Sequence, residues 1–410
     1  MPYSLSAVLG LSVVVLGAIL VIPLVRRKRM LYLVWSSIIF KVLIMFTHES
    51  INLFGRADIS DYWDYFAGNP HWLSIFDDGS IKRLSDFYAS LYGGPLYALF
   101  SASSYVAIRS INIILTTFGC IFTFKVFEII LRRPVSWGGA VLLLFWPDLI
   151  RFSMELGRMP VTVFLVAITV WLVLVIYTSG RVAPFKSLLL LVLAIALTLL
   201  RPPYGFIVFG LVTSLMLLAA WRIRATKRGA FALLVLIPVL GATFLGGAFA
   251  YNQVARKGQM IDVEVLQQRS ERDLDAGSEY LKGLSIRNPA DLVWYTPLFG
   301  FYFLYSPLPW SAPSFNPFYF GAMAESMLLL WLSWLAFKRR ARRYARGLPH
   351  RTALLALVGT LVLSGMLFGS GVSVAGQAVR YRLPLVVLAI PFLVYFSNRK
   401  NVLSHPPPHA

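Results

Sequence analysis

Along this chain apolar residues do not alternate with polar ones. They come in unbroken stretches of about 17–25 residues, parted by short polar or charged segments. Helices of that length match the hydrocarbon core of a bilayer, and the alternation of a membrane-spanning strand is missing. The first stretch, residues 4–25, ends in Arg26, Arg27, Lys28 and Arg29. A cleaved secretory signal carries its charges before the apolar run, so this order predicts a retained helix. The later stretches predict helices over 31–47, 104–131, 135–150, 159–178, 185–200, 204–221, 229–250, 318–337, 352–372 and 383–397. The fold class read from this pattern is an all-α polytopic membrane protein of about eleven transmembrane helices, one transmembrane domain over 1–410. Two interruptions are long, 48–103 and 251–317. The second closes on DLVWYTPLFGFYFLYSPLPWSAPSFNP, residues 291–317, where prolines cut up an aromatic run. Proline removes a backbone donor and bends helices, which predicts a re-entrant or interfacial hairpin there.

Charge then sets the orientation. A net charge of +20 would suggest nucleic acid on a soluble protein. Here six short segments (26–29, 132–133, 181–186, 222–228, 338–351 and 399–400) hold more than half of the 38 basic residues and no acid. Each abuts an apolar stretch, the pattern of cytoplasmic loops under the positive-inside rule. The N-terminus is therefore expected outside and the C-terminus inside, with 48–103 and 251–317 as outer loops and no nucleic-acid partner. Cys120 is the only cysteine and lies in an apolar run, which excludes an intrachain disulfide and a cysteine-based metal site.

The middles of the apolar stretches read as nearly charge-free apart from Lys41 and the Lys125/Glu128 pair. Candidate chemistry falls instead in outer segments. Residues 55–68 read GRADISDYWDYFAG and contain Asp58, Asp61 and Asp64. Asp58 with Tyr62, and Asp61 with Tyr65, fall on one face of a helix. Tyr62, Trp63 and Tyr65 suit the membrane interface and also the stacking of a sugar ring. A carboxylate can accept the proton of an attacking hydroxyl, so Asp58 and Asp61 are the candidate catalytic bases. Near the far end come Arg380, Tyr381 and Arg382, cations on the outer face against the topological bias. Two arginines two apart do not share a helical face, but from a bend they can clamp one phosphate. Arg201, in LLRPPYG, can reach a lipid phosphate or snorkel. Arg151, Glu155 and Arg158 form either a structural ion pair or part of the same site. His48 and His71 lie in or beside the first outer loop, yet no H-E-x-x-H or similar spacing supports a divalent metal, and no cofactor is indicated. Without a glycine-rich phosphate loop or an inner soluble domain, a donor would have to arrive on a lipid.

On these residues the chain resembles the GT-C class of polytopic glycosyltransferases, of the mannosyltransferase and aminoarabinose-transferase type. The likeness rests on Asp58-x-x-x-Tyr62 or Asp61-x-x-x-Tyr65 in an early outer loop, Arg109-Ser110-Ile111-Asn112 entering a helix, FWPDLIRFSMELGRMP, LLRPPYG and the late RYRLP. It departs from the class in having an extra helix before the acidic loop and no large C-terminal soluble domain. The resemblance implies a polyprenyl-phosphate-linked sugar donor, transfer at the outer face with inversion, a glycan, lipid or protein acceptor, and residence in a bacterial inner (plasma) membrane. Acceptor recognition would then fall to 251–317. The rival readings are an O-antigen-type polymerase or ligase, and a lipid-linked glycan flippase or transporter.

Overall fold

The computed structural model describes residues 2–51, 105–154, 157–179, 184–221, 289–309, 317–337, 348, 350–370 and 375–398. Among them all regular structure is helical. The helices are α1 (Pro2–Val21, extended by a 3-10 turn Ile22–Leu24), α2 (Lys28–Ile51), α3 (Tyr105–Leu131), α4 (Trp137–Leu144), α5 (Pro147–Met154) and α6 (Met159–Ser179). They continue with α7 (Pro184–Leu200), α8 (Pro202–Trp221), α9 (Pro289–Tyr305), α10 (Pro317–Ala336), α11 (Arg351–Ser370) and α12 (Ala375–Ser397). Six of them, α1 with its extension, α2, α3, α6, α11 and α12, are long and apolar enough to cross a membrane. The expected stretch 229–250 lies outside the described residues.

The chain is a helical membrane protein, and α1 shows why water cannot be its solvent. It is apolar all round, yet Leu16 is 61% and Leu20 59% exposed. A helix of that composition on the outside of a bundle requires lipid around it. Its inner side packs closely on α3, where a Cβ at Gly17 would meet Ile114. Helix α3 is central, with α1, α2, α5, α6 and α12 around it. The Phe122 ring packs tilted against Trp171 of α6, centroids 5.1 Å apart, and Phe127 likewise against Phe392 of α12 at 5.1 Å. Cys120 is buried within this packing. Glycine serves the α9–α11 contact as well: a Cβ at Gly369 would meet the Phe299 carbonyl, and one at Gly365 would meet Leu304.

Three expectations change. The helix expected over 135–150 is two short helices. Pro147 cannot donate back to the preceding turn, so α4 stops and α5 begins with that proline at its first position. Both orphaned sides of the break find partners: Ser37 Oγ donates to the Leu144 carbonyl at 3.1 Å, and the Asp148 N–H donates to Glu325 Oε1 at 2.8 Å. Within 291–317, read as a re-entrant or interfacial hairpin, 310–316 lie outside the described residues, and prolines do not break the described first part: α9 runs unbroken through Pro297. Only one donor is lost there, and the close seat against α11 holds the helix together. Finally, α12 is helical from Ala375, so Arg380 and Arg382 sit on a helix and not at a bend.

Candidate functional site

The site is built at the end of the bundle where α2 finishes and α3, α6 and α12 begin. Arg109, in the first turns of α3, gathers three elements. Its Nε donates to the Met154 carbonyl of α5 at 2.9 Å, it pairs with Glu49, and its Nη2 lies 3.3 Å from His48 Nε2. The last carbonyl of short α5 is thus met by a side chain from elsewhere. His48 and Glu49 both contact Arg109, and among the described residues no group of His, Cys, Asp or Glu is arranged to hold a metal.

Beside this tie lies a ring of arginines. Arg201 occupies the one-residue link between α7 and α8, its guanidinium 4.7 Å above the Tyr381 ring of α12. The Tyr204 hydroxyl donates to the Tyr381 carbonyl at 2.5 Å, locking α8 to α12 under that cation. Arg158, just before α6, donates to the Leu200 carbonyl at 3.4 Å. Arg380 lies 5.8 Å from the Phe152 ring, and Arg151 lies 5.4 Å from the same ring. Burial first, and the charges of Arg158 and Arg380 after it, hold the Arg201 pKa below its usual value, with Tyr204 and Tyr381 acting the other way. Among the described residues no carboxylate acts on it, and its enclosed Nε has no hydrogen-bond partner. A buried donor left open beside other guanidinium groups can take an anion.

Arg382 points elsewhere. Two residues along a helix turn a side chain to the far side, and here that side is the bundle interior. Arg382 is 2% exposed. It donates to the carbonyls of Leu304 (2.9 Å) and Ser306, and to Ser326 Oγ (3.1 Å); its Nη2 lies 3.8 Å from Asp148 Oδ2. Asp148 and Glu325 are each 5% exposed, and Glu325 accepts the N-terminal N–H of α5. Four elements, α5, α9, α10 and α12, therefore meet on one guanidinium. The clamp of Arg380 with Arg382 on a single phosphate does not form, because the helix sends the two heads apart.

The structure brings Arg158, Arg201, Arg380 and Tyr381 together from distant segments. Asp58, Asp61, Asp64, Tyr62, Trp63, Tyr65, His71 and Glu155 lie outside the described residues. The Asp148–Glu325–Arg382 cluster was missed. The available signal was Glu325, a lone acid in the apolar run of α10, and spans read as nearly charge-free pass over it. Lys41 was visible and is fully buried, its Nζ without a hydrogen-bond partner. Searched against protein-family models, curated proteins and solved structures, the chain matches none.

Proposed function

We propose that the protein is a GT-C-like membrane glycosyltransferase, moving a sugar from a polyprenyl-phosphate donor to an acceptor hydroxyl at the outer face. The observation that carries this reading is Arg201: a partly buried cation whose enclosed Nε is open, over the Tyr381 ring and flanked by Arg158 and Arg380, with no carboxylate among the described residues acting on it. Such a site suits a lipid-borne phosphate. In the reaction the acceptor oxygen attacks the anomeric carbon as the bond from that carbon to the phosphate oxygen breaks. The phosphate leaves on its lipid, and Arg201, Arg380 and Arg158 stabilise the charge it gains. Asp58 or Asp61 takes the acceptor proton. Arg382 is the positioning residue: its donors are engaged within the protein, and it fixes the start of α12, hence Arg380 and Tyr381, against α9 and α10.

The test is transfer of labelled sugar from a polyprenyl monophosphate by protein in nanodiscs. Arg201→Ala should lower the rate about 10²–10³-fold with folding intact. Wild-type turnover in Arg201→Ala, or in both Asp58→Asn and Asp61→Asn, would sink this assignment. One observation favours a second reading, a transporter of lipid-linked glycans. Asp148, Glu325 and Arg382 are buried ionisable groups beside the broken pair α4 and α5, as transport proteins often have. Movement of such a lipid across proteoliposomes with no covalent change would select it.

A further inference from the structure

At the opposite end of the bundle is a cavity of about 540 Å³ between the α1–α2 turn, the last turns of α3, the α3–α4 turn and α6. Its walls carry five cations, Arg26, Arg27, Lys125, Arg132 and Arg133, against one acid, Glu128. We infer that this cavity binds an anionic phospholipid from the surrounding bilayer, with the phosphate among the arginines and the acyl chains along the apolar floor. The inference is independent of the transferase reading.

Topology alone accounts for basic residues here, but it does not account for a cavity with a charged rim and an apolar floor. The floor is Met30, Ile121, Phe124 and Trp171. From Ile121 to Leu131, α3 climbs about 15 Å. The cavity therefore extends from the level of the headgroups well into the hydrocarbon, as a lipid does. A soluble phosphate would use the rim and leave the floor empty. One side is the 3-10 turn after α1, the helix whose flank is bare to lipid, so a chain in the cavity has a path into the bilayer along α1. The rim is held in place too: the Arg132 Nε donates to His350 Nε2 at 3.3 Å. Basic pockets between membrane helices on the basic face suit phosphate headgroups, each cation near the surface adding to the attraction.

The experiment follows lipid retention by purified protein. Nanodiscs of phosphatidylcholine containing a minor fraction of phosphatidylglycerol are dissolved in detergent, and the lipid carried with the protein is counted by native mass spectrometry. Wild type should keep phosphatidylglycerol over phosphatidylcholine, and Arg27→Ala with Arg133→Ala should keep it on the order of tenfold less. Arg27→Lys with Arg133→Lys should restore most of it. Equal retention of the two lipids, unchanged retention in the double alanine variant, or displacement by inorganic phosphate as readily as by lipid would overturn the inference. Wild-type protein gives a second measurement that no folding defect can blur. A photoreactive phosphatidylglycerol should crosslink within residues 24–30 and 121–135; crosslinks confined to other segments would equally overturn it.

Discussion

Arg382 is 2% exposed and meets four protein groups, whereas Arg26 and Arg27 stand exposed above a cavity that holds five cations and one acid. The same side chain is a structural bolt at one end of the bundle and part of an unneutralised field at the other. The difference follows from solvent. Inside the bundle a guanidinium must be surrounded by acceptors, because desolvation costs several kcal/mol per ion, on the order the Coulomb gain can only just offset. At the rim, water and lipid headgroups carry that duty, and like charges can crowd. Arg201 stands between these cases. It is partly buried where Arg382 is fully enclosed, and its inner donor, Nε, remains open. That intermediate condition is what the proposed phosphate site rests on.

The contrast can be broken most sharply at Arg382. Arg382→Met strands Asp148, the Leu304 and Ser306 carbonyls, and Ser326, and should cost about 3–5 kcal/mol, read as a large fall in thermal stability in detergent. The matching Arg27→Met, in detergent free of anionic lipid, should shift the melting temperature too little to measure; comparable losses at both sites would erase the distinction. Next in size is Glu325. Glu325→Leu leaves the Asp148 N–H without its acceptor and should cost about 1–3 kcal/mol, and Glu325→Gln, which keeps an acceptor oxygen, should cost visibly less. If the two variants melt together, Glu325 is not the partner that completes the N-terminus of α5.

The smallest effect belongs to His350, at the basic end. Burial first, and the charge of Arg132 after it, lower its pKa from 6.5. A histidine with a depressed folded pKa binds fewer protons folded than unfolded, so its contribution is present above about pH 6.5 and is lost as pH falls below that. The Arg132 bond agrees with that direction, since Nε2 must be neutral to accept it. Melting at about pH 7.5 and about pH 5.5 should therefore show a modest acid-side loss that His350→Gln removes. An acid-side loss of equal size in His350→Gln would assign it to other groups.

Much of the architecture was legible, because hydrocarbon solvent demands long apolar runs and charge marks their ends. The bounds of α3, α6, α7, α8 and α11 fall within a few residues of the apolar pattern. Arg201 was legible for the same reason, a lone cation after a wholly apolar stretch. What the pattern hides is partnership. Arg382 reads as a surface cation because Leu304, Ser306, Ser326 and Asp148 lie on three other elements far away in sequence. Trp146-Pro147-Asp148 holds a start signal for a helix, proline at the first position with an acid after it, but inside an apolar run it passes as a helix end. Pro297 misleads in the opposite sense: its cost is local, and the glycine-mediated seat on α11 that absorbs it is not local.

The burial of Cys120 turns this chain into a convenient object for labelling. With one cysteine in 410 residues, and that one enclosed between helices, the native protein offers no accessible thiol to a maleimide. A single cysteine introduced at Arg158 or at Arg133 then becomes the only reactive handle. An impermeant reagent added to one side of sealed vesicles should tag one of these two and spare the other, so the two ends of the bundle can be assigned to their sides of the membrane without removing any native residue from its core.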